Sequence, residues 1–120
     1  MSRRPTSELS PLKIDVHHQA ECAVVTLTGG ATMEYTDQLR KTLFELADPP
    51  VRKLVIDMGR LKFISSVGLG TIVAAYVRCT RRGIGFHLAG PRAKLQEMLA
   101  ITQLTRLFDI CGSVEEAMRR

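Results

Sequence analysis

The residues best suited to chemistry in this chain are Ser65 and Ser66, set directly before Val67-Gly68-Leu69-Gly70 and an apolar stretch running from Ile72 to Tyr76. That order places a hydroxyl at the start of an apolar helix. A serine there can cap the helix by accepting a hydrogen bond from an unpaired backbone N–H, a contribution of about 1 kcal/mol. It can also take a phosphate, whose charge of about −1.5 to −2 is tolerated at the positive end of the helix dipole. A phosphate so placed leaves the fold intact, and its bulk and charge act on whatever surface docks against the loop. Capping accounts for one serine; the second is the candidate for a binding switch.

Other chemistry is sparse. The chain contains no GxSxG, GxxxxGK, HExxH or GxGxxG motif, and Gly68-Leu69-Gly70 and Gly83-Ile84-Gly85 read as packing and turn glycines. His17 and His18 are adjacent near an expected hairpin turn, where successive side chains point to opposite faces and do not chelate one metal. His87, out of phase with Phe86 and Leu88, reads as structural. Cys22, Cys79 and Cys111 form no CxxC pair and have no histidine at metal-ligand spacing, so reduced thiols acting as small hydrophobes are expected. With no acid, base, nucleophile and charge-holding group to assemble, neither an enzyme nor a bound metal or cofactor is expected.

The elements that must hold the serine pair follow from periodicity. Leu12, Ile14 and Val16 alternate with polar residues, and Cys22 to Thr28 resumes the alternation after His18-Gln19-Ala20-Glu21, predicting a β-hairpin. Gly29-Gly30 breaks the second strand. Thr32 is a plausible cap for a helix carrying Leu39, Leu43, Leu46 and Ala47 on one face, which Asp48-Pro49-Pro50 stops. Leu54-Val55-Ile56 reads as a central strand covered on both faces. The serine-headed helix then runs to Arg82 and ends at Gly83. Ile84 to Leu88 predicts a fourth strand, Leu95, Met98 and Leu99 a helix, and Leu107-Phe108 a last short strand. Ser113 caps a closing helix with Glu115 and Glu116 in its first turn. The order β-β-α-β-α-β-α-β-α is α/β: a mixed four- or five-stranded sheet packed with about four helices.

Composition sets the outer bounds. At 120 residues, 45% hydrophobic and 24% charged, the chain has material for one core. The expected organisation is a mobile tail over 1–10 and a single domain over 11–120. The longest apolar run, Val67 to Val77, is too short to cross a bilayer, which needs about 20 residues. Pro5, Thr6, Ser7 and Glu8 stand where a signal peptide would be apolar, so a cytoplasmic location without membrane insertion is expected. The net charge of +5 is scattered, with Arg78, Arg81 and Arg82 closing one helix, and direct nucleic-acid binding is not expected.

Leu54-Val55-Ile56-Asp57, followed by Leu61 and Phe63-Ile64-Ser65-Ser66-Val67-Gly68-Leu69-Gly70, resembles the STAS domains, the anti-sigma factor antagonist family. The hallmark of that family is an apolar strand ending in Asp and an Asp-Ser-Ser-Gly-Leu-Gly type loop opening a helix. The resemblance extends over about residues 12 to 118, where element order agrees and Leu107-Phe108-Asp109 resembles a late Leu-Phe segment. Residue by residue, Ser66 matches the serine phosphorylated by partner kinases, Gly68 and Leu69 match the Gly-Leu of the motif, and Asp57 matches the strand-ending acid. Ser65 stands where Asp is usual, which makes Ser65 an alternative acceptor. Val67 stands where a small residue is frequent, and Gly29-Gly30 replaces a frequent Gly-Glu.

The resemblance implies an anti-sigma factor antagonist: the unphosphorylated form binds an anti-sigma factor that is a serine kinase, phosphorylation abolishes binding, and a serine phosphatase restores it. Val67 and Leu69, with Met58, are expected to form the docking patch together with Ser65, Ser66 and Gly68. The alternative is a phosphorylation-independent interaction subunit of a lipid-transport ABC system or a stress-sensing complex.

Overall fold

The computed structural model describes residues 10–120, and the expected tail lies, except for Ser10, outside them. Five strands form one sheet in the order β1-β2-β3-β4-β5: Lys13–Gln19, Cys22–Ala31, Lys53–Ile64, Gly85–Ala89 and Asp109–Cys111. β1 and β2 are antiparallel, and every later pairing is parallel. Four α-helices complete the architecture: α1 at Thr36–Leu46, α2 at Ser66–Arg81, α3 at Ala93–Ile101 and α4 at Val114–Met118. No helix of the described residues is long and apolar enough to cross a membrane.

Strand alternation divides the interior in two. Val25, Leu27, Leu54, Ile56, Phe86 and Leu88 share the main core with Leu39 and Leu43 of α1, Ile72 and Cys79 of α2, and Leu95 and Leu99 of α3. Tyr76, Phe86 and Phe108 lock α2 to this face, with ring centroids 5.5–5.9 Å apart. On the opposite face Val55, Ala89, Cys111 and Ala117 form a smaller cluster under α4. Leu54-Val55-Ile56 is therefore covered on both sides, as its unbroken apolar run predicted, and β3 is the central strand.

Five local expectations are corrected. Gly29-Gly30 does not break β2, which continues through both glycines to Ala31, paired with Leu61, Phe63 and Ile64 of β3. β3 does not stop at Asp57 but runs to Ile64, its second half pairing with β2 through register shifts at Thr26/Thr28 and Gly29/Gly30. These irregularities keep Leu61 and Ile64 turned inward, where both are buried. The last strand begins at Asp109 rather than Leu107, because Phe108 closes a 3₁₀ turn over Leu104–Arg106, its N–H donating to the Leu104 carbonyl at 3.0 Å. Thr32 opens a 3₁₀ turn, Met33–Tyr35, instead of α1, and its hydroxyl donates to Glu34 rather than capping. His17 and His18 lie within β1, opposite Val24 and Ala23, because only Ala20 and Glu21 make the turn. The expected stop at Asp48-Pro49-Pro50 and the Ser113 cap both hold, the Ser113 hydroxyl accepting from Glu116 N–H at 3.1 Å.

Candidate functional site

β2 and β3 end side by side, and their ends hold the serine loop. Ala31 pairs with Ile64, and the next residue, Ser65, donates its backbone N–H to the Ala31 carbonyl at 2.9 Å. Ser65 keeps extended backbone angles, φ −72° and ψ 162°, while its hydroxyl oxygen accepts from Gly68 N–H at 3.0 Å and its carbonyl accepts from Leu69 N–H at 2.8 Å. Ser65 is the N-cap, and Ser66 is the first residue of α2. Asp and Ser are comparably good N-caps, so Ser65 can cap where the resembling family carries Asp.

Ser66 is exposed, and its side chain makes no hydrogen bond among the described residues. With Gly68 and Leu69 N–H satisfied by Ser65, the N–H groups of Ser66 and Val67 are left as the free donors of the first turn. No acidic residue lies in that turn. The positive end of a 16-residue helix thus faces solvent beside an accessible hydroxyl.

The expected docking patch is only partly surface. Val67, 44% exposed, stands beside Ser66. Met58 is 1% exposed and belongs to the main core: it lies in phase with Leu54 and Ile56, so alternation along β3 turns it inward. Leu69 is likewise core, and Gly68 is buried with the place of a Cβ only 3.0 Å from Ile64 Cγ1 and 3.3 Å from Ser65 Oγ. Gly68 keeps the cap and the β3 end close to the helix. Gly70 has open space around it, so it is not the packing glycine expected. Met33, 67% exposed on the 3₁₀ turn that packs against α2, is an apolar neighbour the sequence reading missed. Its position two residues past the end of β2, whose partner strand runs into Ser65, is the signal that could have found it.

Asp57 lies inside β3, accepting from Thr26 Oγ1 at 3.3 Å and from Gly59 N–H at 3.1 Å. It braces the β2–β3 ribbon rather than entering the serine loop. Cys79 fits the expected small hydrophobe: burial pushes its thiol up to about 11, partly offset by Arg78 and Arg82. Burial, joined by the Asp109 carboxylate, also raises the Cys111 thiol.

Replacing Ser65 with Ala removes the cap while leaving Ser66 in place. Ser65→Ala is expected to cost about 1 kcal/mol, measured by urea denaturation, and to fray the first turn of α2 in amide exchange. Unchanged exchange at Gly68 would contradict the cap.

A mixed sheet with helices on both faces, presenting a capped and solvent-facing helix start, defines a small α/β module. The chain belongs to the STAS domain family, whose model matches residues 13–117. Solved structures of similar fold include an anti-sigma factor antagonist from Mycobacterium paratuberculosis, at 21% identity and TM-score 0.83, covering 91% of this chain and 92% of that one. The anti-sigma factor antagonist SpoIIAA in its unphosphorylated form aligns at 18% identity and TM-score 0.77, covering 88% and 93%. The Bacillus cell fate determinant SpoIIAA in the phosphorylated form aligns at 18% and 0.73, covering 90% and 98%.

Proposed function

We propose that this chain is an anti-sigma factor antagonist without catalytic activity of its own, and that phosphorylation of Ser66 switches its binding. The observation that carries the reading is the exposed, unpaired Ser66 hydroxyl at the first position of α2, beside a serine already committed to capping. Membership of the STAS family supports it, and so do neighbours known in unphosphorylated and phosphorylated forms. The partner is an anti-sigma factor that phosphorylates Ser66, and a serine phosphatase resets the site. A phosphate on Ser66 meets two free N–H groups and the helix dipole, so the domain keeps its fold. What changes is the surface: a dianion replaces a small hydroxyl beside the exposed Val67, and an apolar or acidic partner face no longer fits. Ser65 is the poorer acceptor, because phosphorylating it disrupts the bond that starts the helix.

Trypsin releases this region as one peptide, Phe63 to Arg78, carrying Ser65, Ser66 and Thr71. Fragmentation of that peptide from growing and stressed cells is expected to place a condition-dependent phosphate on Ser66. Phosphate on Ser65 alone would relocate the switch and refute the capping argument. No phosphate in any condition, with a stable complex retained, would favour a constitutive interaction subunit.

A further inference from the structure

Far apart in sequence, His87, Asp109 and Cys111 meet on the face of the sheet that carries α4. His87 stands opposite Asp109 in the β4–β5 register, and Ala89 stands opposite Cys111. The three side chains therefore rise from two adjacent parallel strands on one face, with alanine as the small fourth neighbour. His87 Nδ1 lies 2.7 Å from Asp109 Oδ2, and Cys111 Sγ lies 3.7 Å from that same oxygen. One ligand atom from each residue falls within 4.8 Å of the other two. The ring of His87 lies by Gly85, whose missing Cβ would sit 3.3 Å from Nε2, so the ring has room to present Nδ1 to the cluster. Cys111 is 2% exposed, whereas the Asp109 side chain is 39% exposed, which leaves one side open to solvent.

An ordinary histidine–carboxylate pair would account for two of these residues; Cys111 fills the small cluster under α4, and its sulfur is also turned to the same Asp109 oxygen. A tetrahedral cation with bonds of about 2.0–2.3 Å needs donor atoms about 3.3–3.7 Å apart; here two pairs lie 2.7 Å and 3.7 Å apart and all three atoms within 4.8 Å, so shifts of about an ångström bring them to that spacing. Strands fix the three backbones, so the adjustment is confined to side-chain rotation. Imidazole and thiolate donors disfavour magnesium and calcium and favour zinc-like ions. The geometry points to a binding site for a borderline-soft divalent transition cation, held by His87, Asp109 and Cys111 with water in the fourth position. Arg120 opposes it: its guanidinium lies 3.7 Å from Asp109 Oδ1 and 3.3 Å from Glu116 Oε1. Its exposed side chain can swing onto Glu116 when a cation takes Asp109. The site uses none of the residues around Ser66, so it stands or falls separately from the switch.

Cobalt(II) is the probe for the purified chain, because a thiolate ligand announces itself by a sulfur-to-cobalt charge-transfer band. One equivalent is expected to produce that band, and zinc to abolish it. Cys111→Ser is expected to lose the band, Cys22→Ser to keep it, and His87→Gln to weaken binding at least about 100-fold, more than loss of an outer partner would. Arg120→Ala, an exposed change with little bearing on folding, is expected to tighten binding several-fold. Zinc is also expected to raise the melting temperature of the unaltered chain, since the gathered ligands of the folded arrangement bind it more tightly than the unfolded chain does. No band at millimolar cobalt, a band that survives in Cys111→Ser, or a melting temperature indifferent to zinc would each overturn the site.

Discussion

Ser66→Asp and Ser66→Glu are expected to weaken binding of the anti-sigma factor by roughly 100-fold or more, while Ser66→Ala binds like the unaltered chain. A hundredfold loss corresponds to about 3 kcal/mol, within the several kcal/mol that a misplaced charge costs at a docked surface. The fold is not the source of the loss. A carboxylate at the first position of a helix gains about 0.3–1 kcal/mol from the dipole, and the first turn of α2 contains no acid to repel it. Melting temperatures of the charged variants are therefore expected to equal or slightly exceed that of the unaltered chain. Titration calorimetry with the anti-sigma factor recovered by co-purification measures the effect. Thr80→Asp puts the same charge on an exposed position at the far end of α2 and is expected to bind normally. Equal affinity for Ser66→Ala, Ser66→Asp and Ser66→Glu would remove the switch.

The serine loop was legible because its physics is local. A pair of hydroxyl residues before an apolar helical pattern announces a cap without knowledge of the rest of the molecule, and the same is true of Ser113 and of the Asp48-Pro49-Pro50 stop. Met58 was misplaced although its parity was readable, since Leu54, Ile56 and Met58 share one phase and the first two are core. The length of β3 was not readable: Asp57, Gly59 and Arg60 look like a break, and only pairing with β2 through two register shifts carries the strand on to Ile64. Leu107-Phe108 shows the same limit from the other side. Phe108 is core as its type suggests, yet its side chain packs on Tyr76 and Phe86 from a turn. The meeting of His87, Asp109 and Cys111 depends on the register between β4 and β5, which no linear spacing encodes.

Gly29→Ala is the substitution expected to damage the domain most. Gly29 sits in β2 at φ +93°, a backbone conformation that costs a residue with a Cβ about 1–3 kcal/mol. Space makes it worse: a Cβ there would lie 2.3 Å from the Pro11 carbonyl oxygen and 3.3 Å from its carbon. Both are backbone atoms, so no side-chain rotation relieves the contact. The neighbouring Gly30 N–H donates to the Ser10 carbonyl at 3.2 Å, and pushing Pro11 away breaks that bond as well. The combined cost is expected to exceed about 3 kcal/mol, a fall in melting temperature of roughly 10–20 °C for a domain of this size. The damage also reaches the serine loop, because β2 continues from Gly29 to Ala31, whose carbonyl anchors Ser65. Gly70→Ala supplies the contrast. It lies exposed in α2 with nothing within 4 Å of its Cβ position, and alanine there is expected to be neutral or to stabilise by up to about 1 kcal/mol. Thermal melts of the two variants side by side measure both terms. If Gly29→Ala melted within two or three degrees of the unaltered chain, the close approach of Pro11 to β2 would not exist as described.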